Sequence, residues 1–211
     1  MGKETRHSNK RQRIVEAAAR VFARKGFFNA SMAEIAAEAG VGKGTLYAYV
    51  PGKNDLFFAV FEWLAETSWT EARIGVSALG ASASDRLAAL GRSLLEQWTG
   101  MEEYYALVME FWSASASSEL RDRFKDVFRS IYSNFRGTVS ALIQDGMARG
   151  EFRSDVDPDA VAAALVGTWD ALLLQSWFDD AFDLETTARR FLAVVVQGMR
   201  SPDQGNGGPP P

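Results

Sequence analysis

The segment KGTLYAYVPGK, Lys43 to Lys53, places two ammonium groups, a threonine hydroxyl and two phenols within eleven residues, in Lys43, Thr45, Tyr47, Tyr49 and Lys53. Such groups donate hydrogen bonds to phosphate oxygens and to base edges, and Gly44 among them lets a backbone come close to a phosphate. None of them sits beside a partner that would make it a nucleophile. Cysteine is absent, and His7, the single histidine, lies near the N-terminus. A Ser-His-Asp triad, a thiol nucleophile or a His-containing metal centre therefore lacks an essential member in the body of the chain. The expectation is a protein that is not an enzyme and uses no metal and no cofactor.

The charge supports the same chemistry once it is divided. The 211 residues carry a net charge of −4, but residues 1–53 hold ten Lys/Arg against four Asp/Glu, which is +6, and the remainder is −10. Lys3, Arg6, Lys10, Arg11 and Arg13 crowd the start of this basic module. Cations so placed suit a phosphate backbone, because neutralising phosphates releases condensed counterions. No uninterrupted apolar stretch reaches the roughly 18 residues of a membrane span, and the first residues, MGKETRHSNKRQR, lack the apolar region of a signal peptide. The expected setting is cytoplasmic, with no membrane partner.

These residues need helices to position them. Apolar residues recur at three- and four-residue spacing along nearly the whole chain and nowhere alternate convincingly, so the fold class is all-α, with about nine helices and no sheet. A first helix from about Lys10 to Lys25 carries Ile14, Ala18, Val21 and Phe22 on one face and ends at Gly26. Ser31-Met32-Ala33-Glu34 has the pattern of a capping box and starts a second, short helix. Gly40-Val41-Gly42 then makes a tight turn into a third helix, Lys43 to Val50, which Pro51-Gly52 stops. Two short helices joined by a glycine turn and braced by a third form a helix-turn-helix, and this one, at about residues 33–52, lies inside the basic module. Leu46 is expected to dock on Ile35, Ala36 and Ala39, turning Lys43, Thr45 and Tyr47 outward.

The segment MAEIAAEAGVGKGTLYAYVPGKNDLF, Met32 to Phe57, resembles the signature of TetR/AcrR transcriptional regulators, with Ala-x-x-Ala-Gly-Val, Lys-Gly-Thr-Leu-Tyr and Lys-x-x-Leu in order. It departs where Gly42 replaces the Ser or Thr that often caps the recognition helix, and where Tyr49-Val50 replaces an aromatic pair. The resemblance implies a DNA-binding domain at 10–70, following a disordered basic tail at 1–9, and DNA contacts from Ser31, Met32, Lys43, Gly44, Thr45, Tyr47, Tyr49 and Lys53. It also implies a homodimer on a near-palindromic operator, with half-sites about 34 to 36 Å apart. The implied function is sequence-specific transcriptional regulation, by a repressor that a small-molecule effector releases. A helical adaptor that binds protein through the basic module is the competing reading. Salt separates the two, since only phosphate binding falls steeply as ionic strength rises.

Residues 75–200 correspond to the effector-binding and dimerisation domain that the resemblance implies, and 201–211 to a disordered tail. Aromatic density from Trp98 onward nominates Trp98, Tyr105, Met109, Trp112, Phe128, Tyr132, Trp169 and Trp177 for an apolar or aromatic effector. Glu110 or Asp170, if buried beside them, would favour a cationic one. The small residues Ala163, Gly167 and Ala171 recur every fourth position, a stripe along which another helix can approach closely. With Phe191, Val195 and Met199 they form the expected dimer interface.

Overall fold

The computed structural model describes residues 2–76, 82–101, 104–117 and 120–201. Among them lie nine helices: α1 (Gly2–Asn29), α2 (Met32–Glu38), α3 (Lys43–Tyr49), α4 (Lys53–Val76), α5 (Ala83–Met101), α6 (Tyr105–Ser117), α7 (Arg121–Ala148), α8 (Pro158–Phe178) and α9 (Leu184–Met199). The one extended pairing among the described residues is an isolated antiparallel bridge between Phe152 and Arg200. All of the expected tail at 201–211 except Ser201 lies outside the described residues.

Two boundaries differ from the sequence pattern. Helix α1 begins at Gly2, ahead of Lys10, because residues 2–9 carry no apolar stripe to advertise a helix that their Lys, Glu and Arg residues readily adopt. Gly26 does break it, at φ 73 and ψ 162, but the chain re-enters helical turns through Asn29. Of the two turn glycines, only Gly40 takes a positive φ, 65. Gly42, at φ −71 and ψ 151, is the extended N-cap of α3, so its backbone asks for no glycine.

Contacts divide the chain differently from its order. One compact unit comprises Met1–Ser68 with Gly100–Arg129, and the other Trp69–Thr99 with Ser130–Pro211. In this partition α6 and the start of α7 group with the N-terminal helices. The reason is a shared phenylalanine core. Phe57 packs against Phe22 at 5.5 Å and against Phe111 at 4.7 Å between ring centroids, and Phe61 against Phe124 at 5.0 Å and Phe128 at 4.8 Å. Phe22, Phe111 and Phe124 are among the largest fully buried side chains, and each such pair adds about 0.5–1.5 kcal/mol beyond the area it buries.

The second unit is built around Leu87, Leu90, Leu142, Ile143, Phe152, Val196 and Met199. Asp157 caps α8, accepting from the amides of Asp159 and Ala160 at 3.0 Å each, with Pro158 at the first helical position. Gly146 is required by packing rather than by φ. A β-carbon there would overlap the Phe152 ring and stand 2.8 Å from that of Ala83. Helix α8 is long and apolar enough, by length and composition alone, to cross a membrane. Its apolar character has another use here: Ala162 and Leu172 are buried, while Ala163, Gly167 and Ala171 on another face stay exposed.

Candidate nucleic-acid interface

Helix α2 begins at a complete capping box. The Ser31 hydroxyl accepts from the Glu34 amide at 3.3 Å, and the Glu34 carboxylate accepts from the Ser31 amide at 3.0 Å and the hydroxyl at 2.9 Å. Lys25 of α1 pairs with the same carboxylate, and these contacts, Lys25 first, pull the Glu34 carboxyl down to about 2. One turn later Glu38 takes Arg20 at 3.0 Å and Arg24 at 2.9 Å, and both lower its carboxyl below the ordinary value. Helix α2 is thus fastened along α1 by three cations that would otherwise add to the phosphate-binding charge.

The end of α2 is a Schellman turn. The Gly40 amide donates to the Ala37 carbonyl at 3.1 Å and the Val41 amide to the Ala36 carbonyl at 2.9 Å, with Gly40 in the left-handed conformation this closure needs. The Arg13 guanidinium donates to the free Ala39 carbonyl at 3.3 Å. Ile35, Ala36, Ala39 and Leu46 are all buried, as docking of α3 on α2 requires. Lys43, Gly44 and Tyr47 then stay exposed, Tyr47 at 51%, while Thr45 and Tyr49 are half-buried. Ser31 is exposed and Met32 half-buried at the start of α2. Gly42 caps α3 without a side-chain hydrogen bond, as the missing hydroxyl implied.

Lys53 is engaged within the fold. Its ammonium donates to the carbonyls of Phe27 at 2.7 Å, Ala30 at 2.9 Å and Phe28 at 3.1 Å, and stands 4.6 Å from the Phe27 ring centroid. An ammonium has three protons, and three carbonyls take them. Lys53 is therefore a tie that closes the turn between α1 and α2. Glu110, considered above for an effector, belongs to the same turn: its carboxylate accepts the Phe27 amide at 2.9 Å and lies where a β-carbon at Gly26 would meet it at 2.8 Å. Arg123 likewise serves this unit, bonding Asp55 at 3.2 Å and lying 4.0 Å from the Phe58 ring centroid. No local pattern around Glu110 or Arg123 announces these roles, since their partners are 83 and 68 residues away.

A capped short helix, a Schellman turn and a second short helix showing polar groups outward form the helix-turn-helix in full. Two family models match: bacterial regulatory proteins of the tetR family over residues 14–60, and the tetracyclin repressor-like C-terminal domain over 111–192. Together they cover more than half of the 211 residues. The chain belongs to the TetR family. It is a DNA-binding transcriptional regulator, and the adaptor reading falls away. The fatty acid metabolism regulator protein of Bacillus subtilis (strain 168) is 23% identical over 194 residues, covering 91% of this chain and 96% of that protein. The HTH-type transcriptional repressor KstR2 of Rhodococcus jostii (strain RHA1) is 23% identical over 198 residues, 92% of this chain and 93% of its own length. A transcriptional regulator from Saccharomonospora viridis, solved in complex with choline, superposes with a TM-score of 0.78 at 23% identity over 92% of this chain and 99% of that one.

The other candidate residues of this TetR-family chain separate into groups. Tyr105, Met109, Trp112 and Phe128 fall in the first unit, and Trp98, Tyr132, Trp169 and Trp177 in the second. Tyr105 is buried at 3% exposure, Trp177 is 45% exposed and the rest are half-buried. In the second unit the Tyr132 hydroxyl donates to Asp170 at 2.7 Å. Burial pushes the Asp170 carboxyl up, with the tyrosine opposing, and burial together with Asp170 pushes the phenol up. Of the expected dimer residues, Ala163, Gly167, Ala171 and Phe191 are exposed, but Met199 is 4% exposed and Val195 packs against the same core. Met199 is thereby corrected to a core residue: on α9 the outward register runs through Phe191 and Val194, which is 71% exposed and which the pattern missed.

Proposed function

We propose that a homodimer of this chain represses transcription from a near-palindromic operator, read by the exposed face of α3, and that a small molecule held by the C-terminal helices releases it. The observation that carries this reading is the exposure of Lys43, Gly44 and Tyr47 on a helix that the fully buried Leu46 anchors to the fold. Ser31 and Met32 at the start of α2, with Thr45 and Tyr49 of α3, complete the contact set. The second copy packs along Ala163, Gly167 and Ala171 of α8 and Phe191 and Val194 of α9. In support, this apolar surface is exposed among the described residues, where a β-carbon at Gly167 would meet nothing within 4 Å.

Effector binding acts as a two-state bias, and a coupling of about 1 to 3 kcal/mol would change operator affinity roughly 5- to 150-fold. The half-buried pair formed by Asp170 of α8 and Tyr132 of α7 favours a cationic, aromatic or amphiphilic compound. The Saccharomonospora viridis regulator, of the same fold, was solved with choline, a quaternary ammonium. The test is retention of genomic DNA fragments by the purified protein at about 100 mM salt with competitor, followed by sequencing. Enrichment of one near-palindrome is expected. Retention independent of sequence, or none, would overturn the operator reading. Challenging the retained complex with a panel of quaternary ammonium compounds tests the effector class, and release by none of them would remove the cationic assignment.

A further inference from the structure

Helix α3 turns by 100° per residue, so the positions opposite the buried Leu46 are Gly44 and Ala48, at about 160° and 200° from it. Both are exposed. The crest of the reading face is thus made of the two smallest residues, with Lys43 and Tyr47 on one flank and Thr45 on the other. Nothing among the described residues demands this: a β-carbon at Gly44 would meet none of their atoms within 4 Å. The space is therefore left for something outside, and a crest without side-chain donors or acceptors can offer the groove only backbone and one methyl group, that of Ala48. In the major groove the one apolar feature of any base pair is the C5-methyl of thymine.

We infer that Ala48 is a specificity-determining residue that packs its methyl group on a thymine C5-methyl in each half-site, Gly44 letting α3 seat deeply enough for the contact. The inference rests on the operator-binding reading above and adds the base that the centre of α3 selects. Hydrogen-bonding readout is left to the flanks, at Lys43, Thr45 and Tyr47.

The experiment uses the full-length protein. An operator is first selected from a random duplex library, and each thymine of one half-site is then replaced in turn by uracil, which differs only in lacking the methyl group. One thymine near the centre of the half-site is expected to lose ~3- to 10-fold in affinity on replacement, the order that one buried methyl carries. In Ala48→Gly the same replacement is expected to cost nothing, while the variant keeps its secondary structure and oligomeric state. Uracil tolerated at every position by the wild-type protein would overturn the inference without recourse to any variant. So would a uracil penalty that persists undiminished in Ala48→Gly, which would assign the methyl contact to Tyr47 or another neighbour. Failure to select any duplex would overturn the operator reading itself, a different result from an operator indifferent to its thymine methyl groups.

Discussion

At the scale of single residues, two cations ten positions apart have opposite surroundings. Lys43 is exposed on α3, whereas the Lys53 ammonium is taken up by three carbonyls between Phe27 and Ala30. Removing it would strand carbonyls that close the turn into α2, each an acceptor that is costly to leave without a donor. Lys53→Met is expected to lower unfolding free energy by about 1–3 kcal/mol in urea titrations. Tyr47→Ala, at a half-exposed position, is expected to leave the urea midpoint within about 0.5 kcal/mol of wild type and to weaken operator binding. A DNA titration beside each unfolding curve checks both. Equal loss of stability in the two variants would contradict this division of labour.

At the scale of elements, α2 is only seven residues long and would not persist alone. It is held by its capping box and by Lys25, Arg20 and Arg24 from α1. The Glu34 carboxyl has its folded-state pKa near 2, below the ordinary 4.5. A group depressed in this way contributes stability that is fully present above its ordinary pKa and is lost as pH falls through the folded value. The wild-type protein is therefore expected to lose stability between about pH 4.5 and 2 through this group, and Glu34→Gln to show a shallower loss across the same window. Thermal melts of both proteins at stepped pH measure the difference. The same fastening lowers the number of cations available to DNA, since Arg20, Arg24, Lys25 and Lys53 are engaged within the fold. The salt dependence of operator binding should be correspondingly milder than ten Lys/Arg per protomer would give.

At the scale of the whole molecule, a single chain leaves an apolar surface that water does not favour. Val194, Phe191 and the smooth stripe of α8 are exposed, as is Phe178 at 77%. In the proposed homodimer a two-fold partner would bury the same patch on both copies, and the spacing of the two recognition helices would depend on that pairing. Val194→Asp places a charge in the centre of this surface. Sedimentation is expected to show a shift from dimer to monomer, with operator affinity falling and helix content retained. A dimer that persists undisturbed in this variant would move the interface off α9.

The sequence alone determined the fold class, the helix-turn-helix, its capping box and the buried Leu46, because each is encoded by residues within one or two turns of one another. The same locality made Gly40 legible. Tertiary structure decided what depends on distant partners. It alone showed that Lys53 serves the α1–α2 turn, that Glu110 reaches back to Phe27, and that α6 shares a phenylalanine core with α1 and α4. Met199 and Val194 illustrate the limit most plainly. Both are apolar residues on one amphipathic helix, and periodicity can say that such residues share a stripe but not which edge of it the core covers. Burial settles the matter, since Met199 is 4% and Val194 71% exposed, and burial is a property of the packed chain rather than of any segment of it.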